Sequence, residues 1–401
     1  MHRIDEIRWD ITKRCNLRCK HCYVGDSLTS VKTPDDLSTQ EVVTLIRKFA
    51  NEGVKRIQYL GGEPFARPDF LTILEETADQ GLMFIVNTNG SFIDRAAARL
   101  LSRLPRWAIT FSLDGPSAAT NDPVRGKGSF ERCVRGIRAV ISEKASSHPT
   151  QTVAVNSVLT ATTVGMIDAY FDLADRLELD VLQFNSLDFQ GFALTQGQHL
   201  AITPAQLLDA AIEISRREQQ TPREIRQVYA SNIVRKYLAD TLGTPFELSY
   251  GGCKAGVHGV YVDHKGRMFS CSELTYGRYP EHAADLGQSQ DAMTPMADAL
   301  LSEPFEAIQD LRDRKIHRSQ YTPCRTCEFQ LACHPCALPS LKSDTDINLL
   351  LCEEAHRRLN GTAYAAPRAL KDLPEDGNLV VSEVRIPEDG QSRSVTAGLC
   401  K

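Results

Sequence analysis

The chain has 401 residues, 42% of them apolar, which is enough for real cores and for two or three domains. A net charge of −5 with mixed signs argues against nucleic acid as the main partner, and no apolar run approaches the roughly 20 residues that cross a bilayer. Twelve cysteines, with no apolar signal segment after Met1–Glu6, point to metal or redox chemistry in the cytoplasm rather than to secreted disulfides.

Short apolar strands alternate with amphipathic helices from the amino end to about residue 190. Strands are predicted at Ile7–Thr12, Arg56–Leu60, Met83–Thr88, Trp107–Leu113, Thr152–Leu159 and Val181–Leu187. Ser38 and Glu41 form a capping box for a helix over Thr39–Asn51, whose Val42, Leu45, Ile46 and Phe49 share one face and which Gly53 stops. Further helices are predicted at Asp69–Gln80, Asp94–Leu104, Phe130–Glu143 and Thr163–Leu177. Six such alternations predict an α/β fold, a partial (β/α)6 TIM-like barrel over residues 1–190 with its chemistry at the carboxyl ends of the strands. Residues 191–250 read as a helical bridge with helices opening at Thr203-Pro204 and Thr221-Pro222. Residues 251–360 form a cysteine-rich, loop-rich domain. Residues 361–401 read as a flexible tail, in which Leu379–Ile386 fits one short strand.

Three cysteines, Cys15, Cys19 and Cys22, fall on the loop that follows the first strand. Three thiolates with no fourth nearby suit three irons of a four-iron cluster and leave one iron open. Zinc is the competing reading, with His21 as a fourth ligand, but structural zinc prefers four closed ligands in paired hooks. This spacing, with the aromatic-type His21 before the last cysteine, resembles the radical S-adenosylmethionine (SAM) enzymes.

That resemblance implies a SAM site. Gly61-Gly62-Glu63-Pro64 after the second strand would present main-chain groups to the amino group of SAM, with Tyr23 and Asn89, in Asn87-Thr-Asn-Gly90, also in contact. Ser112 and Asp114, on one face of the fourth strand's end, match the position that meets the ribose and the methionyl carboxylate. Arg125 is suited to pairing with a carboxylate, or is a solvated loop arginine. A reduced cluster would pass one electron into the sulfonium and release a 5′-deoxyadenosyl radical, while the protein orients the parts and keeps out water. A flavodoxin or ferredoxin-type protein would supply the electron.

The later cysteines resemble the seven-cysteine SPASM extension of some radical SAM enzymes, which binds two auxiliary 4Fe-4S clusters and brings the total to three. By that resemblance Cys324, Cys327, Cys333 and Cys352 would close the distal cluster, and Cys253, Cys271 and Cys336 would hold the proximal one. Two residues, not the family's three, separate Cys333 from Cys336. The proximal cluster's fourth position is either open or filled by His258. Zinc at the paired hooks is the alternative, though its hooks usually stand about 12–20 residues apart. Cys133 reads as core packing. Cys400 reads as tail, with hydrogen donation or metal binding as the sharper alternatives.

SPASM relatives mostly modify peptides, so the resemblance implies a maturase forming an oxidative crosslink or related change on a ribosomally made precursor peptide. The chain starts almost at the first strand, so leader recognition is expected from a separate leader-binding protein or from the carboxyl-terminal half. Sulfatase maturation fits less well, because Ser272 stands where those enzymes carry an aspartate. The second reading is a radical SAM dehydrogenase or rearrangement enzyme acting on a small molecule. The third is a non-catalytic metal scaffold.

Overall fold

In a computed structural model, the described residues are 4–29, 36–144, 150–227, 231–248, 258–275, 284–285 and 347–360, with Gly256, Met296, Cys327 and Phe329 besides. All of them fall in one compact unit, Met1–Pro367. The six predicted strands appear in order: β1 (Glu6–Thr12), β2 (Arg56–Gly61), β3 (Met83–Thr88), β4 (Trp107–Ser112), β5 (Gln151–Val158) and β6 (Val181–Asn185). All five neighbouring pairs from β1 to β6 are parallel. The helices between them are α1 (Thr39–Asn51), α2 (Phe70–Asp79), α3 (Arg95–Arg103), α4 (Ala118–Arg125), α5 (Ser129–Glu143) and α6 (Ile167–Arg176).

Alternation along each strand divides the barrel. Outward side chains such as Trp9, Tyr59, Phe84, Phe111 and Phe184 are fully buried against the helices. Trp9 meets Phe49 of α1 edge-on at 5.7 Å and stacks on Tyr59 at 6.2 Å. The Ser38 capping box is formed as expected, Glu41 Oε2 accepting from the Ser38 backbone N–H at 2.7 Å. α6 starts later than the pattern predicts, because the Thr160 N–H donates to Thr163 Oγ1 at 3.1 Å and the chain first closes a turn there.

Two features depart from the sequence-based expectation. The segment after Thr221-Pro222 is a strand, β7 (Glu224–Gln227), parallel to β6, and not a helix. Arg223 pins it there, donating to Leu179 O at 2.7 Å and pairing with Asp175 at 2.8 Å, contacts that local propensity does not encode. The next helix opens only at Asn232 and ends at Leu242, whereas the helix Pro204–Glu218 starts at the Thr203 cap as predicted. The second departure is at the other edge. β8 (Gly259–Val262) joins β1 in parallel, β9 (Arg267–Phe269) and β10 (Ala284–Asp285) follow antiparallel, and the sheet has ten strands in the order β10-β9-β8-β1-β2-β3-β4-β5-β6-β7. Trp9 Nε1 donates to Asp263 O at 3.1 Å and the Tyr261 hydroxyl donates to Asp10 Oδ1 at 2.5 Å, so β8 is bound to β1 by buried polar contacts.

A last helix, Ile347–Asn360, lies against Pro204–Glu218 and Asn232–Leu242. Its Arg358 reaches Asp209 at 2.6 Å and the carbonyl of Ala205 at 3.2 Å. Among the described residues no helix is long and apolar enough to cross a membrane. The tail reading, including Leu379–Ile386 and Cys400, lies outside the described residues.

Candidate active site at the carboxyl end of the barrel

The cysteine loop leaves β1 at Thr12 and is tied down along its length. Asp36 accepts from Thr12 Oγ1 at 2.8 Å and pairs with Arg14 at 3.0 Å. The Cys22 N–H donates to Cys19 O at 3.0 Å, the Lys20 N–H to Val124 O at 2.9 Å, and the Phe192 N–H to Cys22 O at 2.8 Å. Gly191, read from sequence only as loop, has φ +53°, and a Cβ there would stand 2.5 Å from the carbonyls of both Cys22 and Tyr23. Only glycine permits that approach. Tyr23, Cys15 and Cys22 pack against the small cluster of Val24, Leu28 and Phe192.

Burial pushes the Cys15 thiol up to about 12 despite a hydrogen bond from the Leu17 N–H at 3.4 Å. Burial likewise pushes Cys19 up to about 12 although the Arg125 cation pulls the other way, and it raises Cys22. Such thiols stay protonated at neutral pH unless a group bearing positive charge displaces the protons, which is what a metal centre does. Three thiols on one short loop are the donor type that an iron–sulfur cluster takes. Among the described residues no three His, Cys, Asp or Glu side chains converge on a single ion position.

The Gly61–Pro64 turn presses on this loop. The Gly62 N–H donates to Thr12 O at 2.8 Å and the Glu63 N–H to Arg14 O at 2.6 Å. A Cβ on Gly62 would sit 2.2 Å from Arg14 O, so the backbone that these glycines admit is the chain's own. Pro64 is buried at the start of a short 3-10 turn. The Glu63 side chain is 1% exposed and turned inward. Its carboxylate accepts from Thr88 Oγ1 at 2.7 Å, from the Asn89 N–H at 2.7 Å and from the Phe65 N–H at 3.1 Å, which joins the ends of β2 and β3. Burial nevertheless raises its carboxyl to about 7. Asn89 donates to Asn16 Oδ1 at 2.9 Å and so reaches into the cysteine loop. Arg67, 5% exposed, donates to Ile11 O and Leu37 O, each at 3.0 Å, while chelating Asp69. Nothing in the local sequence marks Asn16, Asp36 or Arg67 for these roles, since Asn89, Thr12 and Leu37, which they meet, lie 73, 24 and 30 residues away respectively.

Arg125 is the last residue of α4 and is 8% exposed, not a solvated loop residue. The pattern missed α4 because Pro123 interrupts it. Arg125 pairs with the fully buried Asp114 through Nε at 2.5 Å and Nη2 at 3.1 Å, and its Nη1 lies 4.0 Å from Cys19 Sγ. Asp114 also binds His21 Nε2, and its Oδ1 accepts from the Val158 N–H at 3.0 Å. Burial alone would raise the Asp114 carboxyl, but the Arg125 cation and His21 overcome it and hold the group far below the usual range. Ser112 ends β4, half-buried, and Cys133 is a buried core thiol 3.9 Å from the Ser112 carbonyl.

Among the later cysteines, Cys271 follows β9 directly. The β8–β9 turn uses Gly266 at φ +79°, while Asp263 Oδ1 accepts from the Lys265 and Arg267 N–H groups at 3.0 and 2.9 Å. Cys327 is buried, and Cys352 lies on the last helix with its sulfur 3.1 Å from Ser231 Oγ. His258 is exposed beside Asp5, 3.9 Å away. Cys253, Cys324, Cys333 and Cys336 lie outside the described residues.

A family model for the Radical SAM superfamily matches residues 9–185, the stretch from Trp9 in β1 to the end of β6. This stretch is a radical SAM domain. Over 184 residues the chain is 32% identical to the Fe-coproporphyrin III synthase of Methanosarcina barkeri, covering 46% of this chain and 44% of that protein. Over 170 residues it is 32% identical to the mycofactocin maturase MftC of Mycobacterium ulcerans, covering 42% of this chain and 44% of that protein. The chain thus spans less than half the length of these curated relatives. The fold resembles that of Streptococcus suis SuiB, crystallised with SAM, at a TM-score of 0.65 and 15% identity, covering 86% of this chain and 75% of that one. Enzymes of SAM and iron–sulfur chemistry are thus what residues 9–185 are similar to. The cysteine loop and the Gly61–Pro64 turn meet at one mouth of the barrel.

Proposed function

We propose that Cys15, Cys19 and Cys22 hold a four-iron cluster and that the protein uses SAM to modify a precursor peptide oxidatively. The observation that carries this reading is the buried thiol loop of a radical SAM domain with the Asp114-held Arg125 against Cys19. When bound, the cluster would supply the electron that splits SAM into methionine and a 5′-deoxyadenosyl radical.

The chain's own groups do the rest. Arg125 stands beside the loop as a fixed cation, kept charged and aimed by Asp114. In this reading Asp114 is a positioning residue, because its oxygens are already taken by Arg125, His21 and Val158. Glu63 likewise braces the Gly61–Pro64 turn from inside, so the main chain of that turn, with Tyr23, Asn89, Ser112 and Arg125, is left to meet SAM. In the cysteine-rich half, Cys253, Cys271 and Cys336 would hold one auxiliary cluster and Cys324, Cys327, Cys333 and Cys352 the other. A flavodoxin or ferredoxin-type donor would feed them. Similarity to MftC, named a maturase, and the fold shared with SuiB, a chain crystallised with a precursor peptide, support the peptide substrate.

Anaerobic purification with iron and sulfide counts, deoxyadenosine assay and mass spectrometry of co-expressed peptides tests this. Cys19→Ala is expected to abolish deoxyadenosine formation and to lower iron by one cluster while the rest remains. Deoxyadenosine from that variant would refute the assignment. Similarity to Fe-coproporphyrin III synthase keeps a tetrapyrrole as the second substrate reading, and conversion of coproporphyrin without any peptide product would favour it.

A further inference from the structure

The outer, helical face of the barrel segregates its charge. α3 carries Arg95, Arg99 and Arg103 at i, i+4 and i+8 with no acidic residue, and α5, packed against it, carries Arg132, Arg135 and Arg138. All six are exposed except the half-buried Arg132. The acidic residues among them are Asp94 at the α3 cap and Glu131 and Glu143 on α5. Glu143 pairs with Arg95 at 2.9 Å and with Arg99 at 3.4 Å, yet those arginines stay 75% and 56% exposed, and such solvated pairs hold a side chain weakly. The helices before and after in chain order have the opposite sign. α2 carries Glu75, Glu76 and Asp79 without a cation, and α6 carries Asp168, Asp172 and Asp175 against Arg176. In a chain of net charge −5 the basic face is therefore a local feature. One end of it bears Phe92, 42% exposed, on the turn that the Ile93 N–H closes on Gly90 O at 3.4 Å. Asn89, directly before that turn, donates to Asn16 beside Cys15, so this end of the face adjoins the cysteine loop.

We propose that the α3–α5 face docks an acidic surface of the flavodoxin-type electron donor, an inference that rests on the SAM reading above and gives its protein partner a place. The donor is oxidised by one electron as the cluster is reduced, so it must come up to the chain near the cysteine loop. Clustered exposed arginines set up a field that draws an acidic protein in, and each guanidinium fork can take a carboxylate bidentately on contact. Phe92 adds an apolar anchor at the end adjoining the loop, and phenylalanine and arginine are residue types that interfaces favour. A nucleic acid is also drawn to arginine, but it carries phosphate charge along its whole length. Extended past this face it would meet the carboxylates of α2 or α6, whereas a compact acidic patch need not.

The test measures binding of a fluorescently labelled flavodoxin of strongly negative net charge to the anaerobically purified full chain, by anisotropy. The wild type is expected to bind it, and about tenfold or more less tightly at about 200 mM than at about 20 mM salt. Arg95→Glu/Arg99→Glu and, separately, Arg135→Glu/Arg138→Glu should each weaken binding about tenfold or more at low salt. Arg176→Glu/Arg216→Glu makes the same change in net charge elsewhere on the surface and should leave binding as it is. Thermal melting checks that each variant folds, and either of the first two pairs alone suffices. No binding by the wild type, unchanged binding in a folded α3 or α5 variant, an equal loss in the Arg176/Arg216 control, or preference for a mixed-sequence single-stranded RNA each overturns the docking assignment. Deoxyadenosine formation driven by dithionite, which needs no docked protein, tests the SAM reading separately. It is expected at the wild-type rate in the α3 and α5 variants. Its absence from the wild type would bring down the SAM reading and the donor assignment together, whereas its presence beside unaltered flavodoxin binding would bring down the docking face alone.

Discussion

The Asp114–Arg125 pair makes a quantitative prediction. Both side chains are buried, joined by contacts of 2.5 and 3.1 Å, and neither can reach water when its partner is lost. Asp114→Asn keeps the shape and leaves the guanidinium uncompensated, which costs about 3–5 kcal/mol when a buried pair loses one partner. Loss of the Asp114 contact to His21 keeps the effect from falling at the small end. Arg125→Met is expected to cost a similar amount by stranding the carboxylate. The double variant replaces both charges together, so it should cost less than the sum of the two single variants by about 2 kcal/mol or more. Urea unfolding of the metal-free chain at pH 7, followed by near-UV circular dichroism, measures all four corners of the cycle. Strict additivity, or a cost below about 1 kcal/mol for Asp114→Asn, would refute the claim that a desolvated pair organises this end of the barrel.

Gly62→Ala should fold poorly and lose iron, because its Cβ would fall 2.2 Å from Arg14 O on the cysteine loop. Normal iron content in that variant would show that the turn does not set the loop. Glu63 gives a pH signature. Its folded carboxyl is raised to about 7 by burial, against about 4.3 for an unfolded glutamate. The stability it contributes is therefore full below the unfolded value and is lost as pH rises toward 7, and Glu63→Gln should flatten that limb of the urea-midpoint profile. A slope unchanged by the substitution would contradict the assignment. Cys327→Ala is expected to lower iron by about one cluster and reduce solubility, since ligation contributes to folding in loop-rich regions. An unchanged iron count would remove Cys327 from the ligand set.

Much of the site was legible because its signals are local. Three cysteines within eight residues, a Gly-Gly turn one strand later and six strand–helix periods can each be read in a short window, and the barrel followed. The roles inside that frame were less legible. Glu63 looked like part of a ligand-facing motif, yet it turns inward to brace Thr88 and Asn89. Arg125 was legible as a carboxylate partner or as a loop arginine; it pairs with the Asp114 carboxylate, and Pro123 disguised the helix that carries it.

By itself the sequence determined the period of each element, the order of the six strands and the presence of a thiol loop after the first, since these depend on neighbours a few residues apart. The tertiary structure alone decided which side chains meet: Arg125 with Cys19 across 106 positions, Tyr261 with Asp10 across 251, and a seventh strand where a proline suggested a helix. The physical reason is that a buried charge or an edge strand is satisfied by whatever the fold brings alongside. That partner is a property of packing, and no local window of the chain contains it.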